Sequence, residues 1–441
     1  MINIFQSNQN KLDRLIYICF ISLPLFLISG PLIPEIVVIL ISIYAIIKII
    51  KNQKYRFFLN NKYIILFFLF WINSFIVSSL NYFDLIPVFT NNIAEIPKDI
   101  KNLKSLINSF FYFRFLFFGI GIFIILSENK ELLKAFFKVC FFCFIVLFID
   151  SYYQFFNDVN LFGDEISPDK RVSSFFGDEL VLGSYSLRIL ILMIPILFFL
   201  EKEIKFNKII FFIIIMIALS LIHLSGERTA LLLYLLTIFL YSIYRTLSNK
   251  KTLLLLLLII FSSGILLKFE NINNRMVERT IIETNNLQVI NDKFRVSFFA
   301  QQILYFATAT NIFKDYPFGI GNKNFKYYCA KYRADKNRDI DITQSCSSHP
   351  HNMYFNVLVD NGIQGLVIIL GLFLVILYKL FNNFINIYFK KIKINYKENL
   401  FLIGIFVNFF PLIQHGSFFN NWLSIFYYLS ISFFVYFIKS K

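Results

Sequence analysis

The chain has 441 residues and a net charge of +16, and 57% of its residues are hydrophobic, including 59 phenylalanines. Several uncharged apolar runs reach the length of about 20 residues that a helix needs to cross a bilayer. This composition excludes a soluble globular protein, and a membrane protein needs no nucleic acid to account for its positive charge. We therefore predict an all-α integral membrane protein.

The apolar runs predict 12 transmembrane helices, with a large, partly helical polar loop at 269–362 between the ninth and the tenth. The turn Gly30-Pro31-Leu32-Ile33-Pro34 joins the first two into a hairpin. In chain order the predicted spans are 14–30, 32–50, 63–80, 107–126, 135–156, 183–200, 208–225, 229–247, 252–268, 363–380, 399–415 and 419–438.

The basic residues predict the orientation. With both termini in the cytoplasm, the positive surplus falls on the inner side, as the positive-inside rule expects. The outer side then holds three longer segments, 81–106, 157–182 and 269–362, and we expect any chemistry to take place there. The inner basic clusters lie at 48–62, 130–138, 202–208, 245–251 and 379–397.

The sequence of the polar loop at 269–362 predicts two helices with a turn between them. Apolar residues recur every three or four positions from Val296, which predicts an amphipathic helix over 293–314 that lies along the membrane surface. A turn follows at 316–321. Asn352 is a good N-cap for a short helix that should break at Asn361-Gly362, before the next span.

The five cysteines divide into two groups. Cys19, Cys140 and Cys143 fall inside predicted spans, where a thiol is usually a small apolar filler. Cys329 and Cys346 lie in the outer loop, where an oxidising compartment favours a disulfide. The alternative for this pair is two buried free thiols.

Two of the four histidines, His349 and His351, stand together in Ser347-Ser348-His349-Pro350-His351-Asn352. Imidazole is the side chain best suited to moving a proton near neutral pH. The pair could also bind zinc, but no further ligand set has convincing spacing, so no metal and no cofactor is expected. Asp339-Ile340-Asp341 has the spacing of the metal-binding carboxylates of nucleotide-sugar transferases, but it is set aside because nucleotide sugars are absent from the outer side of the membrane. His223 and His415 are lone histidines at span ends and are expected to be interfacial.

Three arginines are also predicted to lie on or near the outer face of the membrane. Arg171 precedes the sixth span, Arg188 lies about one turn inside it, and Arg228 sits in the outer turn Ser225-Gly226-Glu227-Arg228-Thr229. An arginine at membrane depth usually faces a partner or a polar cavity. Arg114, near the outer end of the fourth span, is interpreted as a snorkelling anchor.

Structural interpretations remain open for two of these arginines. Arg228 could be a snorkelling residue paired with Glu227. Arg188 could form a buried pair with a carboxylate such as Asp178 or Asp150.

Four short motifs in order resemble the O-antigen ligase and O-antigen polymerase superfamily, over roughly 165–380. Two departures from the family pattern are Glu227, where a small or hydroxyl residue is common, and the sequence Asp360-Asn361-Gly362. The motifs are Arg171-Val172-Ser173-Ser174-Phe175-Phe176-Gly177, Ser225-Gly226-Glu227-Arg228-Thr229-Ala230, Asp315-Tyr316-Pro317-Phe318-Gly319-Ile320-Gly321-Asn322 with Phe325, and His351-Asn352 with Tyr354, Leu358, Gly362 and Gly365.

The resemblance implies a metal-independent glycosyltransferase at the periplasmic face of a bacterial inner membrane. The donor would be a glycan on undecaprenyl pyrophosphate, and the acceptor a sugar hydroxyl of lipid A-core, as in an O-antigen ligase. The alternative is an O-antigen polymerase, which uses the same donor and a lipid-linked glycan acceptor. A transporter is disfavoured because the polar residues lie at the ends of the spans and not midway through them. The implied organisation is 1–160 as N-terminal helices, 161–380 as the ligase-like core and 381–441 as C-terminal helices.

The chemistry of the residues suits this reaction. A neutral imidazole can accept the proton of a poorly nucleophilic sugar hydroxyl, and His351 is predicted to be this base. Guanidinium groups bind phosphate oxygens through paired hydrogen bonds and stabilise a leaving pyrophosphate. Arg228 and Arg171 are predicted to hold the pyrophosphate, and further substrate contacts are predicted for Arg188, His349 and Asn352. Membrane lipids are the other expected partners.

Overall fold

The computed structural model of the chain describes residues 10–55, 62–87, 103–204, 207–246, 288–290, 293–295, 300–332, 346–392, 394–412 and 416–439. These segments are mostly helical. The helices are α1 Lys11–Phe26, α2 Leu32–Lys51, α3 Lys62–Tyr82, α4 Leu103–Phe111, α5 Arg114–Glu128, α6 Glu131–Asn157, α7 Leu182–Phe199, α8 Asn207–Ser225, α9 Arg228–Thr246, α10 Ala300–Asp315, α11 Phe325–Tyr332, α12 Met353–Tyr388, α13 Tyr396–Asn408 and α14 Asn421–Lys439.

Among the described helices, seven are long and apolar enough to cross a membrane: α2, α3 from Ile64, α4 together with α5, α6, α7, α12 and α14. The apolar helices Ile209–Ser225 and Arg228–Tyr244 are shorter. Many large apolar side chains are exposed, such as Ile36, Ile39 and Ile43 along one face of α2, as lipid contact requires. The chain is a multi-pass membrane protein, but the predicted number of 12 spans is not confirmed. The ninth predicted span, 252–268, lies outside the described residues.

The bundle is organised around α7, which is buried along most of its length and packs against α6, α8, α9 and α13. The predicted hairpin of α1 and α2 forms around Gly30, whose φ of 100° is a conformation that suits glycine. α2 packs most extensively on α5. At that contact Gly121 lies so close to Ile41 that a Cβ would collide with it, and small residues at helix interfaces permit such close packing in a membrane.

Three predicted elements differ from the structure. The fourth span begins earlier, at Leu103, and is broken between α4 and α5. The loop helix begins at Ala300, and not at 293, because Lys293–Arg295 pairs with Gln288–Ile290 in an antiparallel two-stranded hairpin. The alternation of polar and apolar side chains in Lys293-Phe294-Arg295 fits a strand better than a helix. Helix α13 ends at Asn408, before Pro411, so it is shorter than the predicted eleventh span.

Part of the large loop packs as a small unit, consisting of residues 300–332 and 346–361, which we call the loop unit. It has its own apolar cluster, which includes Ile312, Tyr316, Phe325 and Val359 and is separate from the main core. The disulfide between Cys329 and Cys346, predicted from the sequence, is present in the structure with a Cα–Cα distance of 5.6 Å. It joins α11 to the segment that carries the histidine pair.

The loop unit is fixed to the bundle where α12 breaks. As predicted, Asn352 caps the helix by accepting hydrogen bonds from the backbone N–H groups of Tyr354 and Phe355, and the helix is interrupted at Gly362, which has φ 71° and ψ −172°. Gly319 crosses this break so closely that a Cβ on either glycine would meet backbone atoms of the other segment. Backbone hydrogen bonds from Ile320 to Val359 and from Gly321 to Asp360, both at 2.9 Å, hold the first part of α12 against this turn.

Candidate active site

The site has two parts. The arginine cluster consists of Arg171, Arg188, Glu227 and Arg228, at the start of α7 and in the turn between α8 and α9. The histidine pair consists of His349 and His351, immediately before α12. Both belong to segments that the sequence predicts on the outer face.

Polar residues of α6 position the segment that carries Arg171. The amide oxygen of Gln154 accepts hydrogen bonds from the backbone of Ser173 and Ser174, at 3.1 and 2.7 Å. Asp150 accepts hydrogen bonds from the Leu161 N–H and the Ser174 hydroxyl. Asp150 and Gln154 are fully buried, and this network explains how an irregular segment keeps a defined position beside the helices.

Arg171 holds the α8–α9 turn. Its Nε donates to the carbonyl of Ser225 at 2.8 Å and its Nη2 to the carbonyl of Leu180 at 3.2 Å. The backbone N–H of Val172 donates to the carbonyl of Leu224 at 3.1 Å. The structure therefore brings Arg171 to the turn that carries Arg228. Part of the guanidinium group of Arg171 has a structural role there.

Glu227 lies between the arginines. Its Oε1 accepts a hydrogen bond from the backbone N–H of Gly183 at 2.8 Å, so a side chain from the α8–α9 turn caps the start of α7. Burial raises the pKa of Glu227 to about 7, and this effect outweighs the opposing attraction of Arg171 and Arg188. Arg228 is the first residue of α9 and is half-buried. The cluster thus combines three arginines with an acid whose pKa is raised by burial.

The sequence left open a buried ion pair between Arg188 and Asp150 or Asp178. All three residues are described in the structure, and Arg188 pairs with neither carboxylate. Its Nη1 donates to the carbonyl and hydroxyl oxygens of Ser184, at 3.1 and 2.6 Å, and its guanidinium carbon lies 5.8 Å from the centre of the Trp422 ring. Arg188 is only 5% exposed, yet its buried Nε has no hydrogen-bond acceptor within the described segments. A buried donor without an acceptor is costly, which makes Arg188 a candidate for binding an anion.

The ring centres of the two histidines are 4.4 Å apart, and that of Tyr305 on α10 is 5.1 Å from that of His351. The Nε2 of His351 lies 2.9 Å from the Ser347 hydroxyl, whereas the Nδ1 of His349 lies 2.9 Å from the Ser348 hydroxyl. His351 has a φ of 57°, a left-handed conformation that is strained for histidine and is often found at functional sites. Burial lowers the pKa of His351 below its ordinary value, which favours the neutral form of the ring.

The predicted substrate contact of Asn352 stays a prediction. Its side-chain oxygen caps α12 and its Nδ2 donates to the carbonyl of Pro411 at 2.7 Å, so both ends of the amide are used inside the protein. This arrangement fixes His351, the preceding residue, against the connection between α13 and α14.

The connection between α13 and α14 links the two parts of the site. The Tyr354 hydroxyl donates to the Phe409 carbonyl at 2.7 Å, and the Phe409 ring packs on Tyr427 with ring centres 5.0 Å apart. Tyr427 and Trp422, both on α14, lie beside Arg188. Sequence reasoning missed these contacts, because α14 is more than 200 residues from Arg188 and no local pattern joins them.

The sequence predictions for His223, His415 and Arg114 compare differently with the structure. His223 lies in the last turn of α8 and is only 2% exposed, so its ring is packed inside the bundle, and its position at the membrane interface stays a prediction. His415, like Asp339 and Asp341, lies outside the described residues. Arg114 does more than snorkel, because its Nε forms an ion pair with Glu35 at 2.5 Å and its Nη1 donates to the Phe111 carbonyl.

Comparison with known proteins adds one finding. Residues 210–370 match the family model of the O-antigen ligases. This stretch of the chain, a little over a third of its length, is therefore similar to the O-antigen ligases. The matched region includes Arg228 and the histidine pair, whereas Arg171 and Arg188 lie before it. No curated protein matches the chain. The family supports a glycosyltransferase of the O-antigen ligase or polymerase type.

Proposed function

We propose that this protein transfers a glycan from undecaprenyl pyrophosphate to a sugar hydroxyl of lipid A-core, at the periplasmic face of a bacterial inner membrane. The observation that carries the proposal is the pairing of two regions with different chemistry: a group of arginines around a helix start, and a neutral histidine held by the loop unit. The family match contributes the class of reaction and its lipid-linked substrates.

In this proposal the arginine cluster binds the pyrophosphate of the donor. Arg228 is half-buried at the start of α9, and the Nε of Arg188 is buried without an acceptor in the described part of the chain. Guanidinium groups can stabilise the negative charge that develops on the leaving pyrophosphate, and no metal is needed for this step. Arg171 supports the cluster by holding the turn before Arg228 in place.

His351 acts as the general base. In the tautomer whose Nε2–H donates to Ser347, the lone pair is on Nδ1 and can accept the proton of the acceptor hydroxyl. As the proton moves to His351, the acceptor oxygen attacks the anomeric carbon of the donor sugar. The bond from that carbon to the pyrophosphate oxygen breaks, and the electron pair leaves with undecaprenyl pyrophosphate. His351 then returns its proton to solvent or to the product phosphate.

The lipopolysaccharide ladder of a strain that lacks the protein tests this function. A ligase predicts loss of every ladder band above the core, with the polymer retained on its lipid carrier. Core plus a single repeat would instead indicate the polymerase, whose acceptor is a lipid-linked glycan. An unchanged ladder with normal polymer on the carrier would contradict both.

A further inference from the structure

A cavity of about 470 Å³ lies at the end of the bundle where α2, α5 and α14 finish, far from the candidate active site. Arg114 begins α5 beside the loop unit, and the cavity surrounds the other end of this 15-residue helix. A rise of 1.5 Å per residue separates the two ends by roughly 20 Å. The positive-inside pattern predicts that the cavity faces the cytoplasm.

The cavity has an apolar wall and a polar mouth. Phe123, Leu126 and Tyr436 form the wall, all of them largely buried, and the rings of Phe123 and Tyr436 meet edge to face at 6.4 Å. Lysines provide the charge at the mouth, which is lined by Lys54, Ser127, Lys130 and Lys439. An apolar wall at the end of membrane helices, next to ammonium groups, matches the junction of a lipid's acyl chain with its phosphate.

One carboxylate, Glu128, also lines the cavity, but other groups already compensate its charge. Lys48 contacts both of its oxygens, at 2.9 and 3.1 Å, and the hydroxyl groups of Tyr44 and Tyr17 donate to it at 2.8 and 3.2 Å. The Tyr55 hydroxyl donates to the same group at 3.5 Å, from the floor of the cavity. Lys48 also forms an ion pair with Asp13 at 3.2 Å, so it does not neutralise Glu128 alone. At the mouth itself, three lysines outnumber the single carboxylate that lines the cavity.

We infer that this cavity binds the headgroup of an anionic phospholipid, with the phosphate between Lys54, Lys130 and Lys439 and an acyl chain along Phe123 and Tyr436. Helices α5 and α14 end at the cavity with a partial negative charge, whereas α6 begins there, with Lys130 as its N-cap. The lysines therefore supply most of the attraction for the phosphate, and the N-terminus of α6 adds to it. A free phosphate would satisfy the lysines and leave the apolar wall uncovered. The wall favours a lipid over a free ion.

Native mass spectrometry of the purified full-length protein in detergent, with equal amounts of phosphatidylglycerol and phosphatidylcholine added, tests the inference. The wild type should retain phosphatidylglycerol preferentially. Because a lysine at an anionic surface typically contributes about fivefold in affinity, the double variant Lys54→Gln with Lys130→Gln should lower that preference by roughly tenfold or more. The double variant Lys54→Arg with Lys130→Arg should keep it, which controls for folding.

Lys390 and Lys391 provide the matched control, since they are exposed, belong to the same predicted inner surface and lie outside the cavity. Replacing both with Gln removes the same charge and should leave the preference unchanged. An equal loss in this control would mean general attraction of anionic lipid and would overturn the inference, as would an unchanged preference in the Lys54 and Lys130 variant. Complete displacement of the lipid by millimolar inorganic phosphate would show that the site takes a free ion.

Discussion

The arginine cluster and the histidine pair differ in how the protein holds them. The arginines lie at helix ends inside the packed bundle, where Arg171 is tied to Ser225, Arg188 to Ser184, and Glu227 to the start of α7. The histidines lie in an irregular segment, where a left-handed residue, a disulfide and the cap of α12 fix them. The arginine cluster is thus suited to binding an anion in a fixed place, and the histidine pair to proton transfer close to an incoming acceptor.

The largest expected effect comes from removing the base. His351→Ala should lower the rate of glycan transfer by about 10²- to 10⁴-fold, the usual contribution of a general base. His351→Asn should be equally impaired, and because asparagine tolerates a positive φ it preserves the backbone better. The assay is transfer from the lipid-linked donor in vesicles, normalised to the amount of protein. Substantial activity in His351→Asn would remove His351 from the chemistry.

Arg228→Lys should have the next largest effect. Lysine keeps the charge but loses the planar group that binds two phosphate oxygens, so we expect a loss of about 10- to 100-fold in donor use. The matched control is Arg114→Lys, because Arg114 is ion-paired with Glu35 on the same predicted face and should tolerate the change. Wild-type turnover in Arg228→Lys would show that Arg228 only anchors the helix.

His349→Ala should cost at most about tenfold, roughly 1.4 kcal/mol of transition-state stabilisation. The His349 ring packs beside the His351 ring, so removing it should leave the base in place but less firmly positioned. If His349→Ala were inactive and His351→Ala active, the roles of the two histidines would be exchanged.

The smallest effect concerns pH. An anion bound beside Glu227 favours its protonated form, and the pKa of this acid is already raised to about 7. Donor binding should therefore take up a proton, and wild-type affinity should fall as pH rises through 7. Glu227→Gln keeps an amide oxygen for the cap of α7 and should bind the donor severalfold more tightly than the wild type at pH 8, with little difference at pH 6. The same pH dependence in both proteins would exclude Glu227 as its source.

The local features of this fold were predictable from sequence because each depends on neighbouring residues. The hairpin at Gly30, the cap at Asn352 and the break at Gly362 all follow from the conformational preferences of single residues. The surroundings of Arg188 were not predictable, because its neighbours Trp422 and Tyr427 belong to the last helix. The cap that Glu227 provides for α7 was missed for the same reason. Glu227 was visible in the sequence only as an acid beside an arginine.

In this account the arginine cluster binds the donor and the histidine pair transfers the proton. Donor affinity, measured separately from glycan transfer, tests this separation of roles most directly. Binding of the glycan-loaded undecaprenyl pyrophosphate to purified wild type, His351→Asn and Arg228→Lys can be measured at one pH, in the same detergent and without acceptor. We predict that His351→Asn binds it as the wild type does and yet fails to transfer glycan, whereas Arg228→Lys binds it at least tenfold more weakly, a difference of about 1.4 kcal/mol. Weakened binding in His351→Asn with normal binding in Arg228→Lys would contradict the account.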